Sequence, residues 1–251
     1  MHQILTKIRM SLAIRGGLGT LKLCGAKAIS LFKGLMPSHR AARNRARELD
    51  EEFDRKYGLD TSGIICPSKS SVIGDNWIHG IRYEPTDPTL FVRAIEELSI
   101  PYEEFVFVDF GSGKGRALLL AAGFPFKKIV GIEYWDDLNR IARQNLLRYP
   151  TASRLCQDID LVCMDATEYS LPNEPLVLFF YNPFGRKVME KVVENVTHSF
   201  QSNRRRMVVV YLTPEHADLW DRAGFLQRTH PSRIVWDTGL VGQVPEPLSH
   251  L

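Results

Sequence analysis

Five short apolar runs, separated by stretches with helical patterning, constrain this chain more than any other feature. They are Phe105-Val-Phe-Val-Asp109, Lys128-Ile-Val-Gly-Ile-Glu133, Asp160-Leu-Val-Cys-Met164, Leu176-Val-Leu-Phe-Phe-Tyr181 and Met207-Val-Val-Val-Tyr-Leu212. A strand with one wet face alternates apolar and polar residues. These runs are apolar nearly throughout, so both faces are covered, as in a parallel sheet flanked by helices. Helices are expected at about 116–123, 136–148, 186–200 and 214–223, the last ending at Gly224. Residues 225–229 and 233–236 supply two further strands. The expected fold is Rossmann-like α/β: a doubly wound, mostly parallel seven-stranded sheet with helices on both faces.

Before the first run, Thr86-Asp-Pro opens a helix over about 89–98, with Asp87 as cap and Pro88 in the first turn. Residues 39–57 read as a charged helix that stops at Gly58, and residues 61–80 as loop. The expected division is an N-terminal helical extension with an irregular segment, 1–80, and an α/β domain, 81–251.

Charge separates these parts. Residues 1–47 contain ten Lys or Arg and no Asp or Glu, whereas the remaining 204 hold 22 basic and 29 acidic groups. The arm thus favours anionic partners. Within it, residues 1–36 have a partial helical stripe, which either packs on the protein's own domain or lies on a membrane surface as peripheral contact. No apolar run reaches the length of a membrane span. Cys24, Cys66, Cys156 and Cys163 form no CxxC pair and no metal-ligand spacing. They read as reduced thiols, and the expected location is cytoplasmic, with membrane-peripheral attachment through 1–36 as the variant. Oligomeric state is not legible.

The chemistry concentrates in Val108-Asp109-Phe110-Gly111-Ser112-Gly113-Lys114-Gly115-Arg116, between the first strand and the next helix. Ligands of doubly wound sheets bind beyond the carboxyl ends of the strands, beside this turn. Glycines permit positive φ and close approach of a ligand, and amides at the helix start favour a negative group. A tight connection explains three glycines equally well. The turn gains meaning from Glu133, eighteen residues after Gly115 at the end of the second run, where a carboxylate can accept from two ribose hydroxyls. The spacing G-x-G-x-G differs from the dinucleotide G-x-G-x-x-G, and little chain remains for a separate substrate domain.

Asp109, Gly111, Gly113 and Gly115 followed by Glu133 resemble the class I S-adenosylmethionine-dependent methyltransferase superfamily over roughly residues 80–236. Phe53-Asp54-Arg55-Lys56-Tyr57-Gly58, Val108 to Arg116 and Asn182-Pro183-Phe184 resemble a bacterial group within it, of poorly defined substrate. The resemblance implies S-adenosylmethionine as cofactor. It implies that Asp109, Gly111, Ser112, Gly113 and Gly115 hold its methionine part and Glu133 its ribose. It also implies that Asp165, with Ala166, meets its adenine, the reading favoured here over the alternative of a turn cap at Asp165. The resemblance further implies that Thr86 or Tyr83 donates to the cofactor's carboxylate and that Tyr181 lines the same pocket, although a turn with a packed Tyr83 suits that segment equally well.

Asn182, Pro183 and Phe184 resemble the [Asp/Asn]-Pro-Pro-[Tyr/Phe] element of amino-methyltransferases, less one proline. They are the candidate catalytic residues, with Asn182 accepting from a target nitrogen and Phe184 packing over it. Asn-Pro also ends strands without any such role. The implied reaction is methyl transfer to an unidentified small-molecule or protein acceptor. Two other readings stand: a non-catalytic cofactor-binding module, and, ranked lower, a nucleic-acid methyltransferase using the basic arm. Trp77, His79 and His216 are expected in packing or solvent.

Overall fold

The computed structural model describes residues 48, 51–65, 83–229 and 235–239. Asp50–Leu251 forms one compact unit, divided from Met1–Leu49. Within the second unit, residues 54–62 bond to the α/β core through Lys114, Arg116 and Asn145. The arm of residues 1–36, Cys24, Cys66, Trp77 and His79 lie outside the described residues.

Helix α1 covers 51–57 and stops at Gly58, whose φ of 66° is left-handed. Ile65 then bridges to Tyr83. Helix α2 (Pro88–Glu96) begins as the sequence implies: Asp87 Oδ1 accepts from the Thr89 and Leu90 amides at 2.8 and 3.1 Å. The regular alternation follows: β1 (Val106–Phe110), α3 (Arg116–Ala121), β2 (Lys128–Glu133), α4 (Asp136–Arg148), β3 (Ile159–Cys163), β4 (Leu176–Tyr181), α5 (Arg186–Ser202), β5 (Met207–Leu212), α6 (Ala217–Asp221), β6 (Gln227–Arg228) and β7 (Val235–Asp237). In α4, Asp136 and Asp137 in the first turn and Arg148 in the last both complement the helix dipole.

The sheet is Rossmann-like and doubly wound, in the order β3-β2-β1-β4-β5-β7-β6. β1 to β5 run parallel; β7 pairs antiparallel with both β5 and β6. The chain winds outward from β1 to β3 and then returns to place β4 on the other side of β1. Crossovers leave the β1 and β4 carboxyl ends in opposite directions, opening a crevice between them.

Alternate strand residues feed two apolar layers. Val108, Leu178 and Val209 pack with Val192 and Val196 of α5 and Trp220 of α6. Phe107, Phe179 and Val210 pack on the opposite face with Phe91 of α2 and Leu118 of α3. Phe179 is fully buried, and its ring centroid lies 5.0 Å from that of Phe91, edge-on. Truncating such a ring to alanine costs about 3–5 kcal/mol. Among the described residues no helix is long and apolar enough to cross a membrane. Cys156 and Cys163 are free thiols.

Candidate active site

A cavity of about 680 Å³ opens at the carboxyl ends of β1 and β4. Its size suits a single small ligand or cofactor. Asp109 ends the inward row of β1, opposite Gly131 of β2 and Phe179 of β4. Its side chain is buried at 3% exposure, yet lines the cavity. Among the described residues no hydrogen-bond donor reaches its carboxylate. Burial first, and the neighbouring Glu133 charge second, hold this carboxyl well above the usual carboxylate range.

Glu133 ends β2 and is also buried. Its Oε2 accepts from the Gly113 amide and its Oε1 from the Trp135 amide, both at 2.9 Å. Burial pushes its pKa up to about 7, while the Trp135, Gly113 and Tyr134 amides pull the other way. Each oxygen keeps a lone pair beyond its amide bond, and the carboxylate lines the cavity. Two buried acids in one crevice, both biased toward the neutral form, make a site that gains from meeting donors or positive charge.

The glycine turn works differently from the sequence expectation. The amides of Gly111 and Ser112 donate to Ile132 O at 2.9 and 3.0 Å, and that of Gly115 to Ser112 O at 2.8 Å. With Gly113 bonded to Glu133, these four amides are engaged within the protein and present no anion site. The missing Cβ atoms are needed by the protein itself. At Gly111 (φ 81°) a Cβ would lie 2.5 Å from Pro183 Cβ; at Gly113 (φ 54°) it would collide with the Tyr83 ring. Gly111 and Ser112 line the cavity, whereas Gly113 and Gly115 do not. The space above Gly113 is occupied by Tyr83.

Asn182-Pro183-Phe184 follows β4 and lines the cavity opposite the turn. Asn182 is left-handed at φ 46°, a conformation asparagine tolerates better than most residues. Its Oδ1 accepts from the Tyr211 hydroxyl at 3.0 Å, so one lone pair of the proposed nitrogen acceptor is already used. Burial pushes Tyr211 up to about 12, which keeps it a donor. Phe184 is buried in the core layer, with one edge near Gly111.

Tyr181 and Thr86 line the cavity. Tyr83 does too, but its hydroxyl donates to Thr61 O at 2.5 Å and is not pointed at a ligand. Asp165 and Ala166 do not line the cavity. Asp165 Oδ1 caps its own turn, accepting from the amide and hydroxyl of Thr167 at 2.8 Å, and Ala166 is in the core. His216 is half-buried and also away from the lining. No group of three or more potential metal ligands occurs among the described residues.

The structure adds Trp135, Leu138, Arg116, Glu84, Thr213 and Glu215 to the lining. Trp135 sits two residues after Glu133. Thr213 and Glu215 follow β5, where strand-end placement signals a ligand edge. Thr213, like Asn182, has positive φ (49°), so adjacent strand ends both carry conformations rare for side chains at the cavity rim.

No protein-family model matches the chain, and no curated protein matches it. Solved structures with partial likeness include an RNA methyltransferase from Salinibacter ruber in complex with S-adenosyl-L-homocysteine. It is 20% identical over 66% of this chain and 99% of that one, at a TM-score of 0.42. A precorrin 8W decarboxylase from Methanobacterium thermoautotrophicum is 18% identical over 63% of this chain and 93% of that one, at 0.44. The glycopeptide N-methyltransferase MtfA, complexed with S-adenosyl-L-methionine, is 12% identical over 49% of this chain and 53% of that one, at 0.38.

Proposed function

We propose that this chain is an S-adenosylmethionine-dependent methyltransferase whose cofactor binds in the cavity between the β1 and β4 ends. The observation that carries this reading is Glu133: a buried carboxylate at the end of β2, oriented by two amides, with acceptor capacity turned into the cavity. Adjacent hydroxyls of a ribose are the natural donors to such a group, and charge-assisted bonds to it are strong. Trp135 and Leu138 beside it offer an apolar wall for a purine. Asp109, buried and without a donor among the described residues, suits the ammonium of an aminoacyl tail. When bound, the cofactor supplies an electrophilic methyl group; the protein supplies orientation and water exclusion.

The acceptor side is the rim formed by Asn182, Thr213, Glu215 and Glu84. Exposed carboxylates at Glu84 and Glu215 favour a neutral or cationic acceptor over an anionic one. This ranks an amine-bearing small molecule or protein side chain above nucleic acid. Asn182 positions the acceptor through its remaining amide capacity, with Tyr211 holding the amide in place. Pro183, seated on Gly111, joins this loop to the cofactor side, so acceptor and cofactor are referenced to one rigid turn.

The test is calorimetric titration with S-adenosylmethionine at pH 7 in two buffers of different ionisation enthalpy. Saturable binding with net proton release is expected, because donors to Glu133 favour its ionised form. Absence of binding at millimolar cofactor would eliminate the reading. Transfer of labelled methyl groups into cell extract, with mass identification of the product, then identifies the acceptor; cofactor binding without any transfer favours the binding-module alternative.

A further inference from the structure

Two sequence motifs that lie more than fifty residues apart meet in the structure. Asp54 belongs to Phe53-Asp54-Arg55-Lys56-Tyr57-Gly58, and Lys114 and Arg116 to the glycine turn. Asp54 is buried at 8% exposure. Its Oδ2 accepts from the amides of Thr61 and Ser62 at 2.8 and 2.7 Å, and its Oδ1 from the Thr61 hydroxyl at 2.5 Å. The same Oδ1 lies 3.6 Å from Arg116 Nη2. Arg116 is 1% exposed; its Nε donates to Thr61 Oγ1 at 2.7 Å and its guanidinium covers the Phe53 ring. Lys114, also buried, donates to Asp60 Oδ1 at 2.5 Å and to Ser62 O at 2.9 Å. Asn145 of α4 closes the loop, bonding the Asp60 amide, Asp60 O and Lys114 O.

The fully buried Thr61 is the hub, and its carbonyl receives the Tyr83 hydroxyl. Tyr83 in turn lies on Gly113, whose amide holds Glu133. A continuous series of contacts therefore runs from Asp54 through Thr61, Tyr83 and Gly113 to the carboxylate that faces the cavity.

We infer that residues 54–62 form a strap that positions the ligand site: the strap seats Tyr83 on Gly113 and thereby fixes the Glu133 carboxylate. Lys114 and Arg116 are the anchors of this strap on the turn. Asp54, Thr61 and Tyr83 are positioning residues in this scheme. A peripheral helix would not need two buried cations and a buried carboxylate to hold one loop. Each of those charges is tolerated in the interior only because it is paired and hydrogen-bonded. The inference rests on the proposed cofactor site for its functional meaning, while its structural part stands without ligand.

The experiment uses the full chain and Asp54→Asn, with Tyr83→Phe as a second variant that keeps the ring and removes the hydroxyl bond to Thr61 O. A core variant, Val196→Ala, provides a comparison with lowered melting temperature and an intact strap. Amide exchange at Gly113 is measured without ligand, and S-adenosylmethionine binding by calorimetry. Asp54→Asn should speed Gly113 exchange and weaken cofactor binding, each by about tenfold or more, since it removes charge-assisted bonds at the hub. Tyr83→Phe should act in the same direction with a smaller effect. Val196→Ala should leave both readouts near the wild-type values at temperatures well below its melting point. Wild-type exchange and binding in Asp54→Asn would overturn the inference, as would equal changes in Val196→Ala. If the wild-type chain binds no cofactor, the proposed function fails by itself, and Gly113 exchange still decides whether the strap holds the turn.

Discussion

Replacing Glu133 with glutamine removes one titrating group from the bottom of the cavity while nearly preserving its volume. In the folded chain burial pushes this carboxyl from its ordinary 4.5 to about 7. A raised folded value means that folding favours the protonated acid. The group's stabilising contribution is fully present below about pH 4.5 and is lost as pH climbs through about 7. At about 1.4 kcal/mol for each pH unit, the interval from 4.5 to 7 amounts to about 3 kcal/mol. Glutamine does not titrate in this range. The stability of the wild type relative to Glu133→Gln should therefore fall by about 3 kcal/mol between pH 4.5 and pH 8, whatever constant offset the lost Gly113 or Trp135 bond adds. Relief of the Glu133 charge on Asp109 acts in the same direction. Urea unfolding of both proteins without ligand, at half-unit pH intervals, measures the difference directly. A difference independent of pH would refute the claim that Glu133 is desolvated at the cavity floor. So would one that grows in favour of the wild type with rising pH.

Asp109→Asn should weaken S-adenosylmethionine binding about ten- to hundredfold, as expected for losing a charge-assisted bond to an ammonium. It should leave 5′-methylthioadenosine, which lacks the aminoacyl tail, bound almost as before; calorimetry with both ligands checks this. Gly113→Ala combines a left-handed backbone with a clash against Tyr83. It should cost at least about 2 kcal/mol in urea unfolding, and wild-type stability there would contradict the packing described. At Asn182, glycine relieves the φ of 46° and alanine does not. Asn182→Ala should lose about 1 kcal/mol more stability than Asn182→Gly, while both lower turnover more than cofactor affinity. Equal turnover in either variant and the wild type would remove Asn182 from the acceptor site.

The parallel sheet was legible because burial on both faces leaves a chemical trace: β2, β4 and β5 coincide with the apolar runs read as strands, and α4 with its patterned stretch. Caps were legible for the same reason, since Asp87 needs only its two following amides. The last strands moved by a residue or two because β6 and β7, of two and three residues, are too short to carry a pattern. Asp109 and Glu133 were recognisable as a pair, because strand-end acids flanking a glycine turn are determined by local order along the chain.

What the turn's glycines are for was not legible. Sequence alone shows that residues 111, 113 and 115 lack side chains, and a ligand is one reason for that. The structure supplies others: Pro183 needs the space at Gly111, and Tyr83 needs it at Gly113. Likewise, Arg116 turned out to bridge to Asp54. These relations join residues tens of positions apart, and their partners are selected by how the layers pack. Local order along the chain determined the sheet, its helices and the two cavity acids, since those depend on burial pattern and short-range bonds. Only the tertiary structure decided which groups spend their hydrogen bonds on the protein and which keep them for a ligand, because that depends on neighbours brought together by folding.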